Sequence, residues 1–147
     1  MTKPLVIKIG GAILEKVDAL NALLVVIASL KAEAKVVLVH GGGCVVDEML
    51  AQAGFTTVKK HGLRVTPTAQ IGLISGALAG TVNKSIVATA NSMHLSAVGL
   101  SLADGDMIAC TKSDLNLGEV GVPSPKSSQL LDALLNGHFL PVISSIG

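Results

Sequence analysis

The sequence predicts an α/β fold built on a mainly parallel, open sheet. Three features of the chain predict it. Short runs rich in Val, Ile and Leu recur along it. Two of those runs are closed at once by glycine clusters, Gly10-Gly11 and Gly41-Gly42-Gly43. Helical periodicity follows each cluster. Buried parallel strands feeding helix N-termini carry this signature.

The elements can be read in order. The first strand covers Leu5 to Ile9. A helical pattern from about Asp18 to Ala32 puts Leu20, Leu23, Leu24, Ile27 and Leu30 on one face. The second strand spans Lys35 to His40, and a second helix runs from Cys44 to Gln52 with Gly54 as its C-terminal glycine. Thr56 to Thr66 is polar and basic. Pro67 opens a third helix, with Thr66 as its expected N-cap, that continues toward Asn91. This helix contains Gly72, Gly76 and Gly80, a spacing that suits a close helix–helix contact, within the chain or between subunits. Ala97 to Leu102 is a third parallel-type strand. Asp104-Gly105-Asp106 is turn chemistry. Met107 to Lys112 and Glu119 to Val122 pair as an antiparallel hairpin. Ser127 to Leu135 is a short helix, and Leu140 to Ser145 is the last strand.

Composition narrows the function. The 147 residues suffice for one domain with a sizeable core. Half are hydrophobic and the net charge is +1, which argues against disorder and gives no electrostatic case for nucleic acid or an anionic membrane. The aromatic residues are Phe55 and Phe139, so base-stacking platforms have little to work with. No apolar run approaches the roughly 20 residues of a membrane span. The N-terminus has no signal-peptide pattern. Cys44 and Cys110 fit no metal spacing and read as reduced thiols in a cytoplasmic protein.

The chemistry gathers around the glycines. Bare N–H groups at a helix start favour anions. Gly10-Gly11 alone reads equally well as an ordinary tight turn, but Lys8 interrupts an apolar strand just before it. An ammonium there must reach an anion or the sheet's carboxyl edge, where ligands of open parallel sheets bind. Three successive glycines at Gly41 to Gly43 have no packing role and suit a backbone nest for an anion. Neither the dinucleotide pattern G-x-G-x-x-G nor the Walker pattern is present. Arg64 lies in a loop before a helix start, where a bidentate carboxylate clamp is plausible. Lys59 and Lys60 read as a solvated face. The histidines show no i, i+4 metal pair. His40 either orients the glycine loop or is a packed structural residue. Asp104 and Asp106 fit a turn better than a cation site, and Ser75, Ser144 and Ser145 lack a nucleophile-elbow pattern.

Together, V-I-K-I-G-G, V-H-G-G-G-C-V-V-D-E, K-K-H-G-L-R-V-T-P and G-A-L-A-G-T-V-N-K resemble the acetylglutamate kinase branch of the amino acid kinase family. A-V-G-L-S-L-A-D-G-D and the closing L-P-V-I-S-S-I-G extend the resemblance over essentially the whole chain. The resemblance implies a three-layer αβα sandwich with a β-hairpin lid, the carbamate kinase-like fold. It implies ATP-dependent phosphorylation of the γ-carboxylate of N-acetyl-L-glutamate, with Mg2+, in arginine biosynthesis. Lys8 matches the transition-state lysine, Gly10 and Gly11 the phosphate loop, and Gly42, Gly43 and Arg64 the substrate-binding residues. The expected organisation is an N-terminal acetylglutamate-binding and dimerisation domain over residues 1–147, without the C-terminal ATP-binding domain. Such a chain is expected to be inactive alone, and to belong to a dimeric, arginine-insensitive type. A non-catalytic module binding an amino-acid derivative is the competing reading, and a dinucleotide-binding half-domain a third.

Overall fold

The structure is a computed structural model and describes residues 3–147. The chain runs β1 (Leu5–Ile9), α1 (Gly11–Leu14), α2 (Val17–Leu30), β2 (Val36–His40), α3 (Gly43–Gln52), β3 (Val58–Lys60), β4 (Leu63–Val65) and α4 (Thr68–Ser75). A π-helical stretch (Gly76–Val82) joins α4 to α5 (Asn83–Ser92). Then come β5 (Ala97–Ser101), β6 (Ile108–Lys112), β7 (Gly121–Pro125), α6 (Gln129–Asn136) and β8 (Leu140–Ser144). Four strands form one parallel sheet in the order β1-β2-β8-β5. This is the predicted fold class.

Alternation along the strands separates two faces. On one face Val36 and Leu38 of β2 and Leu140 and Val142 of β8 pack against Leu24 and Ile27 of α2 and Ile86 and Ala90 of α5. On the other, Val37 and Ile143 meet Met107 and Leu135, so α6 and the foot of the β6–β7 hairpin cover the centre of the sheet. The core is thus built from aliphatic residues between helix, sheet and helix. Full burial of a Leu or Ile is worth about 1.5–3 kcal/mol, and Leu24, Ile27, Leu38, Ile86 and Leu140 are all buried completely.

The register aligns the carboxyl ends. Ile9 pairs with His40, His40 with Ser144, and Ser144 with Ser101. Both glycine turns therefore leave the sheet from one row on neighbouring strands.

Several expectations are corrected. β1 is not a buried strand. It has one neighbour and stands at the sheet edge, leaving Leu5 and Val6 exposed. The basic stretch before Arg64 is itself a hairpin, β3–β4. Its two-residue turn, His61-Gly62, has φ of 50° and 80°, the type I′ pattern. β7 lies later than expected and includes Pro123 and Pro125, which a two-stranded ribbon tolerates because each strand has a free edge.

Thr66 does not cap the third helix. Pro67 occupies that position, and the Thr66 backbone is used elsewhere. Its N–H donates to Leu117 O at 2.8 Å and its carbonyl accepts from Glu119 N–H at 2.7 Å. Gly118, with φ of 74°, makes this docking possible, because a Cβ there would overlap the Thr66 carbonyl. The far end of the β6–β7 hairpin is thereby fastened beside β4.

The helix Thr68–Ser92 is, by length and mean composition alone, apolar enough to cross a membrane, although polar residues such as Gln70, Asn83 and Lys84 interrupt it. Its buried face is shared between two neighbours: Val82, Ile86 and Ala90 lie on the sheet, Ile74 and Leu78 pack on Val46 and Leu50 of α3, and Gln70 and Asn83 are also buried. Among the described residues no other helix packs on its glycines: a Cβ at Gly72, Gly76 or Gly80 would meet nothing within 4 Å.

Candidate active site

The first glycine turn follows β1. Gly10 caps α1, and its carbonyl accepts from the N–H groups of Ile13 and Leu14. Lys8 precedes it on the strand. Ile7 and Ile9 face the α2 side, so Lys8 lies on the opposite face, where it is exposed. No ion pair engages it among the described residues. Its expected need for an anion is therefore not met by the chain itself.

The second turn follows β2. Gly42 caps α3, and its carbonyl accepts from Val46 N–H at 3.0 Å. The N–H groups of Gly42 and Gly43 have no protein acceptor among the described residues. Gly42 is forced to be glycine by its neighbours, since a Cβ would lie 2.9 Å from Val82 Cγ2 and 3.2 Å from Leu78 Cδ2. The two turns adjoin. Gly41 N–H donates to Ile9 O at 3.3 Å, and a Cβ on Gly11 would sit 3.5 Å from Cys44 Sγ. The neighbouring Glu15 carboxylate pushes the Cys44 thiol pKa up.

Arg64 reaches this second turn from β4. Its Nη2 donates to Gly43 O at 3.4 Å. Its Nη1 donates to the Asp47 carboxylate and, at 3.1 Å, to Thr57 Oγ1. Thr57 in turn donates to Asp47 at 2.9 Å, and Lys59 Nζ stands 3.6 Å from the same carboxylate. Lys59 is thus part of this cluster and not only a solvated residue. The Arg64 hydrogen bond holds the Asp47 carboxyl below the usual carboxylate range; partial burial opposes this, while Thr57 and Lys59 reinforce it. Asp47 was missed by sequence reasoning. Its only signal was an acidic residue on α3 one turn beyond the glycines.

His40 is completely buried at the end of β2, beneath the second turn. Its Nδ1 lies 2.7 Å from Gly41 O and its Nε2 lies 2.9 Å from Asn83 Nδ2. Both readings of this residue hold: it is packed and it touches the loop. Burial pushes its pKa down, partly offset by the Gly41 hydrogen bond.

Beside these groups, a cleft of about 200 Å³ lies under the hairpin, lined by Thr66, Ile74, Cys110, Glu119 and Ile146 among others. Asp104 and Asp106 belong to neither turn. Asp104 accepts from Ser101 N–H at 2.7 Å and Asp106 pairs with Lys126, consistent with a structural turn. No group of three His, Cys, Asp or Glu residues suited to a metal occurs among the described residues.

Comparison with known proteins matches residues 3–147 to the amino acid kinase family. The chain belongs to the amino acid kinase family. It is 77% identical over 145 residues to an acetylglutamate kinase from Colwellia psychrerythraea, which covers 99% of this chain and 55% of that relative. The chain thus spans about half the length of that curated relative. A solved structure of a Streptococcus mutans protein has a TM-score of 0.85 at 26% identity, covering 96% of this chain and 58% of the other. An N-acetylglutamate synthase from Neisseria gonorrhoeae, solved with coenzyme A and N-acetyl-glutamate, has a TM-score of 0.73 at 25% identity, covering 96% and 33%. Within the amino acid kinase fold, then, the structure brings Gly10, Gly11, Gly42, Gly43 and Arg64 to one edge of the sheet. Lys8 approaches that edge on the open face of β1.

Proposed function

We propose that this chain is the substrate-binding half of an acetylglutamate kinase. In that reaction a γ-carboxylate oxygen of N-acetyl-L-glutamate attacks the γ-phosphorus of ATP in line, ADP leaves, and an acyl phosphate forms. Both reactants are anionic, so catalysis rests on positioning and on offsetting charge. Gly42 and Gly43 supply unpartnered N–H donors for the acceptor substrate. Arg64 supplies a guanidinium for its α-carboxylate. Gly10 and Gly11 line the path of the phosphoryl group, and Lys8 neutralises charge that develops in the transition state. The described residues offer no acidic cage for Mg2+, so the ion is assigned to the nucleotide and no step is derived through it.

The observation that carries this reading is the meeting of Arg64 with the second glycine turn. A cation held on the Gly43 carbonyl, in the same turn as two N–H groups without a protein acceptor among the described residues, is complementary to a carboxylate-bearing ligand. The high identity to an acetylglutamate kinase supports the choice of ligand. Calorimetry of the chain with N-acetyl-L-glutamate, using L-glutamate as control, tests it: saturable binding of the acetylated ligand is expected, and its absence overturns the assignment. A hydroxylamine trap with MgATP and N-acetyl-L-glutamate is expected to give no hydroxamate from this chain alone. Sustained product would show that the chain is more than the acceptor half.

The assembly proposed is a homodimer through this domain, supported by the uncovered glycine face, Gly72, Gly76 and Gly80, of the otherwise packed helix Thr68–Ser92. Sedimentation equilibrium showing only monomer at high concentration would remove it. A cytoplasmic location is proposed from the two free thiols and the biosynthetic reaction.

A further inference from the structure

We infer that His40 and Asn83 are positioning residues that fix the Gly41–Gly42 peptide and so aim the Gly42 N–H at the acceptor substrate, an inference that rests on the binding role proposed for that turn. A carbonyl oxygen can only accept, so the 2.7 Å contact with Gly41 O requires a hydrogen on His40 Nδ1. The other nitrogen is then bare. Asn83 Nδ2 donates toward it at 2.9 Å and shares its two hydrogens with Val142 O at 2.9 Å and, at the longer distance of 3.3 Å, Leu100 O. Only the neutral Nδ1–H tautomer satisfies all these contacts.

The Asn83 amide is itself locked. Its Oδ1 accepts from Lys84 Nζ at 3.3 Å, and that ammonium also donates to Gly99 O at 3.2 Å. Gly99 leaves room for both groups, because a Cβ there would overlap Asn83 Oδ1 and crowd Lys84 Nζ. The network thus ties α5 to β2, β8 and β5 before it reaches the glycine turn. A flipped Asn83 would set its NH2 group against the Lys84 ammonium and its oxygen against the His40 Nε2 lone pair and the carbonyls of Val142 and Leu100.

Peptide planarity transmits this order outward. In a trans peptide the C=O and the following N–H point in opposite directions. With Gly41 O held against the buried ring, Gly42 N–H is directed away from it. Leu78 and Val82 of the π-helical stretch press on Gly42 and limit its alternatives. That stretch ends where Asn83 begins, so one segment both braces Gly42 and delivers the residue that orients His40. π-helical turns recur at functional sites for this kind of local placement.

Two substitutions separate the roles of the ring nitrogens. In His40→Asn the side-chain amide lies near the position of Nδ1 and keeps a donor for Gly41 O. In His40→Gln it extends to the position of Nε2, keeps a partner for Asn83 and releases Gly41. With both variants folded by circular dichroism, His40→Asn is expected to bind N-acetyl-L-glutamate within about 3-fold of the parent. His40→Gln is expected to bind about 10-fold or more weakly, roughly the worth of one ordered hydrogen-bond donor. In ligand-free protein the Gly42 and Gly43 amide resonances should be averaged or broadened in His40→Gln alone. Parent-like affinity and resonances in His40→Gln overturn the inference, as does affinity that simply follows unfolding free energy in both variants. Nitrogen NMR of the parent adds a test that needs no variant: His40 protonated on Nε2 instead of Nδ1 overturns it. If the parent binds no N-acetyl-L-glutamate, the proposed function fails, while the resonances and the tautomer still decide the role of His40.

Discussion

Gly42 is held on several sides. Val82 and Leu78 press on it, the His40 ring grips the carbonyl before it, and Arg64 reaches the carbonyl after it. Gly10, at the end of the adjoining strand, meets nothing comparable. A Cβ placed there would find no atom within 4 Å, and the helix it caps has four residues against ten for α3. The nearby lysine is free of protein ion pairs among the described residues, whereas the arginine of the second turn is gripped by a carboxylate and a hydroxyl. In the proposed reaction the acceptor must be held still while the phosphoryl group moves. The bracing follows that division: donors fixed by surrounding packing serve the stationary ligand, and the other turn keeps its freedom.

The comparison can be broken most severely at Gly42. Gly42→Val forces side-chain atoms into Val82 and Leu78, and overpacking of this kind costs about 1–3 kcal/mol. A lowered urea midpoint and loss of N-acetyl-L-glutamate binding are expected together. Next is Arg64→Ala. Removing a charge-assisted contact of about 1.5–3 kcal/mol should weaken binding by about 10- to 100-fold in calorimetry, with a smaller change in the urea midpoint. In a complete enzyme the loss should appear mainly in KM; an unchanged KM with lower kcat would contradict the clamp.

Asp47→Asn should act less strongly, because it loosens Arg64 without removing it. Its signature is in pH. The folded carboxyl ionises below the ordinary range, so the unfolded chain takes up the proton first as pH falls. The stability that this supplies is present above the unfolded pKa and is lost as pH falls through the folded pKa. Urea midpoints from about neutral to about pH 3 should show that acid limb in the parent and a reduced one in the variant. Gly10→Ala gives the smallest effect. Its φ of −112° suits any residue and its surroundings are empty, so stability should stay within about 0.5 kcal/mol. A loss as large as that of Gly42→Val would erase the contrast between the turns.

The sheet was legible because its strands are continuous aliphatic runs, and the glycines behind Ile9 and His40 marked which end carries the ligand. What escaped was written in short or distant pairings. The β3–β4 strands have three residues each, and Lys-His-Gly does not look like the usual Asn-Gly turn. Four-residue α1 is too short to show a period. Asp47 and Arg64 are 17 positions apart and His40 and Asn83 are 43 apart, so neither partnership has a local pattern. Thr66 was misread for a similar reason. Its backbone answers to Leu117 and Glu119, far along the chain, and not to the helix that begins next to it.

The π-helical stretch has a consequence for how this sequence can change over time. Each residue of an α-helix turns the chain by about 100°. A residue added between Gly76 and Val82 in helical geometry would rotate Asn83 by about 100° away from the imidazole it serves, whereas loss of one residue is taken up as the wider turns relax toward ordinary α geometry. The segment therefore tolerates shortening better than lengthening, and its side chains are constrained where Leu78 and Val82 abut Gly42.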